Sequence, residues 1–308
     1  MMIRSMKPDR HSATAVMMAV VRAYHTLAPK PHVFEDAVAP RLVTDAERQT
    51  LVRTSTEQAR AFDPAFASSC TDPNALVRRG LQLGAAVAPL ARARFVEARL
   101  EDALAAGATQ YVIVGAGLET FAFRRQELAT RLRVIEIDHP ATSAFKQERV
   151  AAAGLATPEN LHYVTADLER ESVADALARA PFDRAARTFF AWPGVTMYLS
   201  REAVLATLAS IAKVSASGSR LVFDYWTPAA FAPDAPPRVR FVAERARALG
   251  EPVRANLDPA TLASDLSNVG LVLASDLGPA EIQAQLLADA PEFRAVECWH
   301  FAECRHDS

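Results

Sequence analysis

Between residues 110 and 226, short apolar runs alternate with longer stretches whose apolar positions recur every three or four residues. The runs at 111–115, 133–137, 161–165, 188–192 and 220–225 are rich in Val, Ile, Phe and Tyr. Because they are apolar almost throughout, they read as strands buried on both faces, which is the habit of parallel sheets. Helical patterns near 119–131, 141–153, 172–179 and 200–214 separate them. Strands and helices in strict alternation predict a sheet covered by helices on both sides. Two later runs, 271–274 and 296–304, predict an antiparallel C-terminal hairpin at one sheet edge. The expected fold is α/β: a Rossmann-like, seven-stranded, mostly parallel sheet.

The first third of the chain has no strand pattern. Residues 1–11 are expected to be disordered, and Ser12 reads as the N-cap of an amphipathic helix over 13–27 that stops before Pro29-Lys30-Pro31. Helical pieces follow from 45–56, and 83–106 reads as one long helix broken only by Pro89, with Gly107 at its C-terminal cap. Residues 1–106 are therefore expected to form a helical N-terminal cap, and 107–308 the core. Four prolines between Pro228 and Pro237 mark a loop, so a lid insertion is expected near 227–257, including a helix over 238–249. Asp258-Pro259 opens a further helix that ends before Gly270.

Composition narrows the class. At 308 residues, with 50% hydrophobic and 23% charged positions and a net charge of −2, the chain has the balance of an ordinary globular protein. It carries no basic field for nucleic acid or an anionic membrane, so neither is expected as a partner. Cys70, Cys298 and Cys304 have neither disulfide nor metal spacing, and the seven histidines also lack it, so no metal is expected. Arg22 interrupts the apolar patch at 15–21 too early for a secretory signal, which favours a cytoplasmic location.

The chemistry concentrates in two places. Tyr111-Val112-Ile113-Val114 runs into Gly115-Ala116-Gly117, and the next strand ends in Asp138. Glycines at a strand end let backbone approach a ligand, and an acid at the end of the neighbouring strand can accept from ribose hydroxyls. The spacing 138 − 117 = 21 is close to the roughly 20 of nucleotide-binding βαβ units. A dinucleotide site wants a third glycine where Thr120 stands, and Glu119 disfavours a pyrophosphate there. S-adenosylmethionine, with its sulfonium and amino-acid end, fits this turn better than NAD.

Several linked segments carry a resemblance. They are Ser12-Ala13-Thr14-Ala15 with Arg22-Ala23, Arg92-Ala93-Arg94-Phe95-Val96-Glu97, the stretch from Gln110 to Arg124, and Glu136-Ile137-Asp138-His139-Pro140. Asn160-Leu161 through Asp167-Leu168 and Gly194-Val195-Thr196-Met197-Tyr198-Leu199 complete the set. In this order they resemble the leucine carboxyl methyltransferase family of class I S-adenosylmethionine-dependent methyltransferases, over roughly residues 12–226.

The resemblance implies that Gly115 and Gly117 lie against the methionine part of the cofactor and that Asp138 holds the ribose. It implies that Asp167 and Leu168 line the adenine site and that Arg92 meets the cofactor's carboxylate. The glutamate of eukaryotic members before the glycine is here Pro193, which points from a protein substrate toward a small molecule. The expected reaction is O-methylation of a small-molecule carboxylate. No general base is expected, because a carboxylate is already a nucleophile. Methylation of a hydroxyl or nitrogen, and a cofactor-binding module without turnover, are the alternatives. Trp192, Thr196, Tyr198 and Tyr225 are the expected substrate-pocket residues. Pathway and oligomeric state are not legible.

Overall fold

Along the first core strand, Tyr111 and Ile113 face one layer of packing and Val112 and Val114 the other. This two-sided burial is what a continuous apolar run produces when its strand sits mid-sheet. The computed structural model describes residues 11–84 and 86–307. The expectation of disorder over residues 1–11 falls, apart from His11, outside that range.

The helices before the sheet are α1 (Ala13–Leu27), α2 (Ala39–Leu42), α3 (Asp45–Phe62), α4 (Pro64–Ser69), α5 (Pro73–Leu83) and α6 (Val87–Ala105). The core begins with β1 (Gln110–Val114), α7 (Phe121–Arg124), β2 (Arg133–Asp138), α8 (Pro140–Ala152) and β3 (Leu161–Thr165). It continues through α9 (Val173–Leu177), β4 (Thr188–Trp192), α10 (Arg201–Val214) and β5 (Ser219–Trp226). Last come α11 (Pro237–Ala248), α12 (Pro259–Ser267), β6 (Val272–Leu277), α13 (Pro279–Leu286) and β7 (Trp299–His306).

The strand order is β3-β2-β1-β4-β5-β7-β6. Strands β1 to β5 pair in parallel, and β7 runs antiparallel between β5 and β6. The order reverses between β1 and β4, so a crevice opens beyond their carboxyl ends, where α/β folds take their ligands. Helices α1 and α6 cover the Tyr111–Ile113 face, and α10 and α12 cover the other.

Three elements differ from the sequence pattern. The helix expected over 83–106 begins only at Val87: Leu83 is the last residue of α5, and Gly84 after it is packed so that a Cβ would lie 2.1 Å from the Gln58 side-chain oxygen. Pro89 then falls in the first turn of α6, where it costs no helical hydrogen bond. The helix over 119–131 shrinks to α7 and a 3₁₀ turn at Gln126–Leu128. The C-terminal antiparallel pair is also joined through α13, which the sequence reading lacks.

Candidate active site

The glycine turn is built by its neighbours. Gly115 and Ala116 both donate to the Ile137 carbonyl, which draws the end of β1 onto β2. Gly115 and Gly117 have φ of 72° and 54°, in the left-handed region where a side chain is strained. A Cβ on Gly115 would lie 2.5 Å from Val195, and one on Gly117 would lie 3.0 Å from Ala15 of α1. The turn thus needs glycine for both conformation and space.

Asp138 ends β2 with one oxygen accepting the Gly117 N–H and the other accepting the His139 N–H at 2.6 Å. Burial raises its carboxyl above the usual range, and the two backbone donors oppose that shift. Each oxygen keeps lone-pair capacity for a ligand hydroxyl. His139 accepts from Ala141 at the start of α8, so its ring caps a helix while bordering the cavity. Thr120, in the place of a third glycine, is fully buried and donates to Asp36 at 2.7 Å. Glu119 accepts the Thr120 and Phe121 N–H groups at 2.7 and 3.0 Å, capping the start of α7.

A cavity of about 420 Å³ extends from this turn, in the size range of small-ligand sites. Arg92, Gly115, Gly117, Asp138, Asp167, Leu168 and Tyr198 all border it. Asp167 accepts the Glu169 N–H at 3.1 Å and pairs with Arg170 at 3.2 Å. Burial, and after it the Glu251 carboxylate, pushes the Tyr198 phenol up to about 12, so it is protonated at neutral pH.

The other three expected pocket residues lie elsewhere. Trp192 and Tyr225 alternate onto the opposite face of the sheet and belong to the core beneath α10. The Tyr225 hydroxyl donates to Asp276 at 2.7 Å, which places it beside β6. Thr196 is buried and donates its hydroxyl to the Asp224 carbonyl. The period of two along a strand turns both aromatics away from the cavity.

Their place is taken by residues of the N-terminal helices and of the segment around α11. Met18, Val21, Leu51, Val96, Val242 and Leu249 give the cavity an apolar wall from α1, α3, α6 and the α11 region. Glu251 clamps this roof: it accepts the Ala13 N–H at 2.9 Å and the hydroxyls of Ser12 and Thr14. Arg22 and Glu97 also border the cavity. The Arg22 Nε donates to Asp36 at 2.8 Å and its Nη2 to the Leu118 carbonyl at 2.7 Å. Glu97 accepts from Arg124 at 2.5 Å, and burial raises its carboxyl against that pairing. Both residues stood inside matched segments, but their roles depend on partners remote in sequence. Among the described residues no cluster of three or more His, Cys, Asp or Glu could hold a metal ion, and no helix is long and apolar enough to cross a membrane.

A doubly wound sheet in this strand order, with a glycine turn and acid at the ends of β1 and β2, defines a class I methyltransferase. A sequence model of the family described as leucine carboxyl methyltransferase matches residues 15–212. A protein of Bacillus subtilis (strain 168), provisionally named as the S-adenosyl-L-methionine-dependent methyltransferase YktD, is 33% identical over 299 residues, 96% of this chain and 98% of that one. The chain belongs to the leucine carboxyl methyltransferase family. Among solved structures, a DUF574 family protein from Streptomyces avermitilis matches with a TM-score of 0.56 at 17% identity, covering 97% of this chain and 99% of that one. A provisionally assigned methyltransferase from Thermobifida fusca gives 0.55 at 15% identity, covering 97% and 96%. At such identities these two speak to the fold alone.

Proposed function

We propose that this protein uses S-adenosyl-L-methionine to O-methylate a carboxylate of a small molecule. Family membership supports the S-adenosyl-L-methionine-dependent methyltransferase class. The site fits that cofactor. The turn at Gly115 and Gly117 leaves a cradle that any Cβ would fill, and Asp138 has spare acceptor capacity for ribose hydroxyls. Arg92 would hold the carboxylate end, and Asp167 with Leu168 would border the adenine. When bound, the cofactor supplies an electrophilic methyl group on a sulfonium.

The observation that carries the acceptor reading is Arg22. Its guanidinium is fixed on two nitrogens, and Nη1 makes no hydrogen bond among the described residues. This side chain borders the cavity beside apolar Met18 and Val21. A guanidinium preorganised by Asp36 and the Leu118 carbonyl, with one nitrogen left for a ligand, suits a carboxylate. Such an acceptor needs no base: orientation and partial desolvation suffice, and these supply up to about 7–11 kcal/mol in favourable cases. The lining mixes apolar side chains such as Met17, Met18, Val96 and Val242 with polar ones such as Thr50, Thr54 and Gln58, and its volume of about 420 Å³ suits a small organic acid.

Glu97 favours a second reading, methylation of a hydroxyl or nitrogen. One of its oxygens pairs with Arg124, the other makes no hydrogen bond among the described residues, and a raised carboxyl suits proton acceptance. Transfer of tritiated methyl into a panel of small organic acids separates the two. A product that releases label in mild base is an ester and supports the carboxyl reading. A base-stable product rejects it.

A further inference from the structure

Asp224 sits near the end of β5 and is 1% exposed. Its carboxylate gathers three donors from separate parts of the chain. Oδ1 accepts the Gly194 N–H at 2.5 Å, and Oδ2 accepts from Arg92 Nη1 at 3.0 Å and from the Trp299 indole N–H at 2.7 Å. All three donor residues border the cavity. Asp224 therefore ties α6, the turn after β4 and β7 together at one point.

This arrangement constrains Arg92 closely. A Cβ on Gly194 would come within 2.7 Å of Arg92 Nη1 and 2.9 Å of Nη2, so the guanidinium lies flat against a glycine with φ of 74°. A guanidinium carries five N–H donors. Asp224 occupies one, and among the described residues no other hydrogen bond engages the rest. An arginine without a fixed partner loses substantial rotamer freedom on binding an anion, whereas a preset one does not.

We propose that Asp224 is the positioning residue for the amino-acid end of the cofactor. It touches no ligand. It holds Arg92 so that the unused N–H groups face the cofactor's carboxylate, and Trp299 keeps the Asp224 carboxylate from rotating. The inference rests on placing that carboxylate at Arg92, so the test separates the two claims.

Calorimetric titrations on the full chain use two probes. S-adenosylhomocysteine carries the amino-acid end, and 5′-methylthioadenosine has the same nucleoside without it. The expected result for Asp224→Asn is a loss of about ten- to a hundredfold in S-adenosylhomocysteine affinity, as for a charged hydrogen bond. Affinity for 5′-methylthioadenosine should stay within about twofold, since no contact to the nucleoside changes. Equal losses for both probes, or no loss for either, overturn the proposal. Arg92→Met tests the underlying placement. If it too fails to discriminate the probes, the placement falls. If it discriminates while Asp224→Asn does not, only the positioning role falls. Should Asp224→Asn not fold, Trp299→Phe carries the same comparison, with selective weakening of S-adenosylhomocysteine expected and unselective or absent weakening contradicting it.

Discussion

Asp36, with no solvent exposure, accepts from the Arg22 Nε at 2.8 Å, while Arg22 Nη2 donates to the Leu118 carbonyl just after the glycine turn. The same carboxylate takes the Thr120 hydroxyl and the Val38 and Ala39 N–H groups. It thereby fastens the N-terminal helices to the turn that follows β1. Burial works to raise this carboxyl, yet Arg22, Arg124 and the hydrogen bonds outweigh it and hold it below the ordinary value. Replacing Asp36 by Ala leaves Arg22 buried without its partner. The expected destabilisation is about 3–5 kcal/mol, the range for breaking a buried pair. Urea unfolding followed by circular dichroism measures it, and a loss below about 1 kcal/mol, as for an exposed pair, contradicts the assigned role.

His25 makes folding sensitive to acid. Its Nε2 accepts the Val33 N–H at 2.8 Å, which requires a neutral ring, and burial, followed by His32, lowers its pKa from 6.5 to about 4. Between these values the unfolded chain binds the proton that the folded chain refuses. Stability contributed by this group is therefore complete above about 6.5 and is lost as pH falls toward about 4. The loss amounts to at most about 3 kcal/mol. Comparing urea midpoints at neutral and mildly acidic pH for the protein and His25→Gln checks this. A variant with the same acid dependence would place its origin elsewhere.

Gly115 and Gly154 share a positive φ, 72° and 63°, but differ in space. A Cβ at Gly154 meets nothing within 4 Å, so Gly154→Ala should cost only the conformational strain of about 1–2 kcal/mol. Gly115→Ala adds the 2.5 Å clash with Val195 at the cofactor turn. It should lose S-adenosylhomocysteine affinity by more than about tenfold where Gly154→Ala does not. Thermal melts with and without ligand read both effects, and equal ligand-induced shifts in the two variants would sink the assignment.

Glu97→Gln discriminates the acceptor readings kinetically. With a carboxylate acceptor no proton moves to Glu97, and kcat should change less than about tenfold. With a hydroxyl or amine acceptor the loss should reach about 10²–10⁴, the usual contribution of a general base. The pH profile of kcat carries the same information. A fall at acid pH that vanishes in the variant would favour the second reading.

Where local pattern decides structure, the sequence was sufficient. The expected bounds of β3 and β4 match, because unbroken apolar runs between turn residues leave little other choice. Helix α1 also matches, fixed by the Ser12 cap and the proline-rich segment after it. The glycine turn and its bond from Gly117 to Asp138 follow the same local logic, since backbone next to β1 and β2 makes them. The close packing of Gln58 on Gly84, at the end of α5, was hidden because Gln58 lies on another helix. Asp36, Asp224 and Glu251 were illegible in kind: their partners Thr120, Arg92 and Ala13 are 84, 132 and 238 residues away. Trp192 and Tyr225 misled because composition near a strand end does not say which face a side chain takes.

The most direct measurement is a calorimetric titration of the intact protein and of Asp138→Ala with S-adenosylhomocysteine. The account predicts one binding site per chain and a loss of about 1.5–3 kcal/mol in the variant, the range for hydrogen bonds to a charged group. Failure of the intact protein to bind, or undiminished binding after Asp138→Ala, would contradict it.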